Sequence, residues 1–89
     1  MDVKEAVGLA KKYIGEIFAD EPISDLGLEE VEFDNSSQNW LVTIGFWRQW
    51  KNPSGGISVL VPRTRDYKVV RIADADGKML SVKNREPAI

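Results

Sequence analysis

The chain has 89 residues, 43% hydrophobic and 29% charged, with a formal net charge of −2, no cysteine and no histidine. That composition suits one folded domain over residues 1–89 and excludes disorder, disulfide bridging and thiolate chemistry; it also withholds the side chain most used for proton transfer near neutral pH. Charge is unevenly spread, with ten acidic and three basic side chains in residues 1–46 against four acidic and nine basic in residues 47–89. Such a split fits either a charged partner or complementary surfaces that meet when the chain folds.

The opening Met1-Asp2-Val3-Lys4-Glu5 is acidic where an export signal is basic, and no apolar run approaches the roughly 20 residues of a membrane span. A cytoplasmic location without membrane attachment is therefore expected. Asp2 followed by Glu5 has the spacing of a capping box, in which each side chain satisfies an unpaired backbone N–H at a helix start. Val3, Ala6, Val7, Ala10, Ile14, Ile17 and Phe18 then recur at three- and four-residue spacing on one arc, and Glu21-Pro22 ends the pattern. The spacing predicts a helix over 2–19. Gly8 and Gly15 lie on its polar side, where each costs about 1 kcal/mol relative to alanine.

From Leu28 the period changes to two. Glu30, Glu32 and Asp34 alternate with Val31 and Phe33 as the wet side of a half-buried strand, and Asn35 to Asn39 is a polar turn. Trp40 to Trp47 is strongly β-prone, with Trp40, Val42, Ile44 and Phe46 on the side expected to carry the helix and Leu41, Thr43, Gly45 and Trp47 on the other. Arg48 to Gly56 has loop composition, and Ile57 to Val61 is a short apolar strand. Tyr67 to Ala73 and Met79 to Lys83 flank Asp76-Gly77, a favoured tight-turn pair; Val70, Ile72, Leu80 and Val82 are expected in the core, and residues 84–89 form a frayed tail. The fold class is α+β: one N-terminal helix packed on an antiparallel sheet of about four strands, in the order α-β-β-β-β.

One amphipathic helix followed by antiparallel hairpins that close on Tyr67 to Val82 resembles a PepSY-type module, with Asp74 and Gly77 matching that family's Asp-x-x-Gly-like turn. The resemblance implies an α+β module of extracytoplasmic or protease-inhibitory association and supplies no catalytic residue. The helix-on-sheet order is also similar to the cystatin fold and to bacterial immunity proteins, a likeness of fold alone.

The carboxylates Glu29, Glu30, Glu32 and Asp34 form a dense acidic set with nothing to separate their pKa values, so no acid–base pair stands out and no enzymatic activity is expected. Asp74, Asp76 and Gly77 have part of a calcium-loop pattern, but Lys78 replaces the next ligand; Gly55-Gly56 lacks the residues of a phosphate loop. No metal or cofactor is expected. The candidate binding residues are Trp47, Arg48, Trp50, Lys51, Arg63, Arg65 and Tyr67, because aromatics and arginine concentrate binding energy at interfaces. They point to a non-enzymatic protein-interaction module, in its specific form an immunity or inhibitor protein whose acidic strand 29–34 blocks a basic site. The partner is another protein; a homodimer over a second apolar face of Leu41, Trp47, Leu60 and Val69 is the self-associating form. The alternative is a small-molecule carrier using the concave face between helix and sheet, with Tyr13 or Tyr67 as polar handles. Nucleic acid is disfavoured by a pI of about 5.1.

Overall fold

The computed structural model describes residues 1–48 and 64–85. Helix α1 spans Val3–Ile17, and Asp2 caps it: its side chain accepts a 2.8 Å hydrogen bond from the Glu5 N–H. The helix stops at the Phe18 cap, two residues before the expected end, because residues 18–21 tighten into a turn in which the Glu21 N–H donates to the Phe18 carbonyl at 3.0 Å. Pro22 disfavours helical geometry at Glu21, and the Ile23 N–H closes a tight turn on the Glu21 carbonyl at 2.9 Å. Four strands follow: β1 (Ile23–Asp34), β2 (Asn39–Arg48), β3 (Thr64–Ala73) and β4 (Met79–Asn84), all antiparallel in the order β1-β2-β3-β4. The architecture is the expected α-β-β-β-β arrangement, with one helix on one four-stranded sheet.

Strand β1 begins five residues before the point where alternation becomes visible. It pairs with β2 from Ile23↔Arg48 onward, but its register shifts between Ser24 and Gly27 and again between Leu28 and Glu30. Each shift inserts extra residues into one strand only, so the period-two signal is broken although the strand continues. Asp25, at the first shift, has φ 58°.

Ala6, Ala10 and Ile14 of α1 and Val42, Ile44, Phe46, Val70 and Ile72 of β2 and β3 are wholly buried and form the core. Two alanines one turn apart let the helix settle close to the sheet, and Ile14 closes the far end. Phe18 packs on Phe46 with ring centroids 5.2 Å apart and planes tilted by 50°, and Phe33 meets Trp40 edge-on at 5.0 Å. Leu80 departs from expectation: it is half exposed, at 50%, while Met79 and Val82 pack on the core. The cause is a register shift between Arg71 and Ile72, which pairs Ile72 with Met79 and Arg71 with Ser81 and leaves Leu80 as the extra, outward residue.

The β3–β4 connection is longer than a two-residue turn. Ala73 and Lys78 face each other (N–H to carbonyl, 3.0 Å), and Gly77 closes the loop with φ 70°. The chain also stays in the sheet beyond the expected tail boundary: Asn84 ends β4, and the Arg85 N–H donates to the Tyr67 carbonyl at 3.0 Å. Arg48, expected to open a loop over 48–56, instead ends β2, where it pairs with Thr64; the rest of that loop, the expected strand over 57–61 and residues 86–89 lie outside the described residues.

Candidate interaction face

Alternation along β2 sends Val42, Ile44 and Phe46 to the helix and Leu41, Thr43, Gly45 and Trp47 to the opposite, outer face. There Trp47 lies across from Arg65, Gly45 from Tyr67, Thr43 from Val69 and Leu41 from Arg71. The Arg65 guanidinium lies near two aromatic rings, 5.6 Å from the Trp47 centroid and 6.0 Å from that of Tyr67. It donates to the Glu29 carboxylate at 2.8 Å and to the Asp25 carbonyl at 3.3 Å. The hydrogen bond to Glu29 is the main reason its pKa rises above the usual guanidinium value.

Two glycines make room for this arrangement. Gly27 and Gly45 are directly paired, and a Cβ on Gly45 would stand 2.6 Å from Glu29 Oε1 and 2.9 Å from Arg65 Nη2. On Gly27 it would touch Arg65 Nη2 at 3.4 Å. The guanidinium thus lies in a shallow trough of bare backbone, with Tyr67 beside it.

On this face the acidic and basic halves of the chain meet. β2 separates acidic β1 from basic β3, and arginines reach across it: Arg65 to Glu29, Arg71 to Asp34 at 3.9 Å, and Arg85, just beyond β4, to Glu30 at 2.9 Å. Arg85 also donates to the Thr43 hydroxyl at 3.4 Å. Thr43 is only 4% exposed on this face, consistent with long arginine stems lying over it. Of the two readings of the charge split, complementary surfaces within the chain describe these residues. Exposed pairs of this kind contribute about 0–1 kcal/mol each, so they organise the surface more than they stabilise the fold.

Arg48 does not belong to this group. It follows Trp47 in a strand and so points to the helix side, where it lies 5.3 Å over the Phe18 ring and pairs with Glu21 and with Asp66 at 3.2 Å. Its pKa is raised, first by the hydrogen bond to Glu21 and against partial burial. Trp50, Lys51 and Arg63 lie outside the described residues. The structure therefore brings together Trp47, Arg65 and Tyr67 and separates Arg48 from them. Glu29, Asp25 and the glycine pair complete the site; bulges and cross-strand register, which place them, leave no signal in residue type alone.

The polar groups of the other readings are engaged. The Tyr13 hydroxyl donates to the Gly77 carbonyl at 2.8 Å, tying α1 to the β3–β4 turn. Asp74 accepts from the Trp40 indole at 2.9 Å, and Asp76 from the Lys78 N–H at 3.0 Å. Among the described residues no cluster of three or more potential metal ligands occurs, and no helix is long and apolar enough to cross a membrane. Comparison of the chain with protein-family models, with curated proteins and with solved structures finds no match.

Proposed function

We propose that this protein is a non-enzymatic protein-interaction module that holds a partner protein on the outer sheet face around Trp47, Arg65 and Tyr67. The observation that carries the reading is the Arg65 guanidinium lying 5.6 Å and 6.0 Å from the Trp47 and Tyr67 ring centroids and fixed by Glu29. Aromatics and arginine dominate the energy of protein interfaces, and a side chain already ordered loses little further entropy on binding. Glu29, Glu30 and Asp34 are neutralised within the chain, so the aromatic end of this face supports the reading better than the acidic strand does. A partner of mixed charge suits a surface of paired charges. In the immunity or inhibitor form of the reading, that partner is an enzyme occluded by this face.

The test is to isolate the full chain with its associated protein from native cells, purify that protein, and measure its affinity for the wild type and for Trp47→Ala, Arg65→Ala and Tyr67→Ala. Lys12→Ala, on the exposed side of α1, serves as the control. At least one variant should weaken binding by about thirtyfold, the scale of an interface hot spot of about 2 kcal/mol, with far-ultraviolet dichroism unchanged. Wild-type affinity in all three variants, or no associated protein at all, would overturn the reading.

A further inference from the structure

A helix with its side chains is about 10–12 Å across, whereas four strands spaced about 4.8 Å apart make a sheet roughly 19 Å broad. One helix cannot roof that width. α1 packs chiefly on β2 and β1, and beside it, on the β1 side, lies an open groove of about 410 Å³ lined by Val3, Lys4, Val7, Gly8, Lys11 and Leu28. Val3 and Leu28, from α1 and β1, both line it and are each 44% exposed.

The charge of this groove has one sign. Its lining contains two lysines and no carboxylate, in a chain whose net charge is −2. Among the described residues Lys4 and Lys11, like the other lysines, make no ion pair, so both charges stand open to a partner; the carboxylate pairs go to arginines and the N-terminus. The two lysines are seven residues apart, about 10 Å along the helix, which is the repeat that puts two carboxylates on one face of an opposing helix. Between them, Gly8 has no heavy atom within 4 Å of the place a Cβ would take. The missing side chain deepens the groove and leaves room for a second helix axis at the usual 8–10 Å. Strand addition is the less suitable mode, because the two register shifts in β1 bend that edge.

We infer that this groove docks an acidic amphipathic helix of a partner protein alongside α1, with apolar residues on Val3, Val7 and Leu28 and carboxylates seven residues apart on Lys4 and Lys11. The inference concerns a different surface from the Trp47–Arg65–Tyr67 face and stands or falls separately. The probe is a synthetic helical peptide with leucines on one face and flanking glutamates at seven-residue spacing, compared with a twin in which lysines replace those glutamates. Binding to the full chain is measured by fluorescence anisotropy at low salt. The glutamate peptide should bind at least about tenfold more tightly than its twin, and Lys4→Glu with Lys11→Glu should reverse that preference. Gly8→Leu should fill the groove and abolish binding while the melting temperature holds or rises, since the new Cβ has open space and leucine favours the helix over glycine. Equal affinity for the two peptides, no binding of either, or undiminished binding to Gly8→Leu would overturn the inference. Self-association that Gly8→Leu alone removes, or binding of dodecanoate without binding of the peptide, would assign the groove to a second copy or to an apolar anion and would overturn it equally.

Discussion

The Glu29 carboxylate and the Arg65 guanidinium meet at 2.8 Å across the central strand β2, directly over Gly45. A glycine inside a strand sacrifices packing and costs chain entropy, and here the space it leaves is taken by an ion pair from the two neighbouring strands.

Gly45→Ala should therefore move the ion pair and spare the fold. The new methyl would stand 2.6 Å from Glu29 Oε1 and 2.9 Å from Arg65 Nη2, both at the ends of flexible side chains. Losing an exposed pair costs at most about 1 kcal/mol, and removing the glycine returns about 0.5–1 kcal/mol. Urea unfolding should show a stability change below about 1 kcal/mol and a weaker dependence on salt, while the Trp47 and Tyr67 ring resonances shift. A loss of several kcal/mol would mean that the backbone at Gly45 has to give way.

Gly77→Ala should be more harmful. Gly77 has φ 70°, and a Cβ there would lie 3.0 Å from Met1 Cε and 3.1 Å from Leu9 Cδ1. The left-handed conformation alone costs about 1–2 kcal/mol for an L-residue, or a fall in melting temperature of about 4–8 °C per kcal/mol in a domain of this size. Tyr13→Phe, which removes only the hydroxyl bonded to the Gly77 carbonyl, should cost about 1 kcal/mol. Thermal denaturation of both variants checks the order.

At the other hairpin the sign is opposite. Gln38 holds φ 57° in the β1–β2 turn, where its N–H donates to the Asp34 carbonyl at 2.8 Å. Gln38→Gly relieves the left-handed strain and sacrifices one exposed side-chain hydrogen bond to the Asn35 carbonyl. The expected result is a gain of about 0.5–1 kcal/mol in unfolding free energy. An unchanged or lower value would show that the glycine's added freedom in the unfolded chain outweighs the relief.

The Ser36 hydroxyl, with that of Ser37, holds the Asp34 carboxyl below its ordinary value of 3.8. Because the folded state lowers this pKa, the stabilising effect is fully present above the ordinary carboxylate value and is lost as pH falls through the lowered one. Replacing both serines with alanine should bring the titration of Asp34 back up and flatten the acid limb of stability. Carboxyl carbon shifts followed by NMR against pH measure this directly, and an unmoved midpoint would assign the shift to another group.

Much of the fold was legible because hydrophobic spacing is a local property. Asp2 and Glu5 mark the helix start, Ala6, Ala10 and Ile14 its buried stripe, and the alternation of Val42, Ile44 and Phe46 the sheet face beneath it. The early start of β1 and the outward turn of Leu80 were not legible, since each depends on a register shift against a neighbouring strand. In the candidate site, Trp47, Arg65 and Tyr67 are visible as residue types, whereas Arg48 is set on the other side by strand alternation and Glu29 is hidden in its bulge.

The chain alone thus determined an N-terminal helix, strands of largely correct extent and a charge split between its halves, all of which follow from backbone periodicity and composition. Which acid meets which arginine, which glycine they cross, and which margin of the sheet one helix leaves open were decided only by strand order and register, because those contacts join residues as far apart as Glu30 and Arg85.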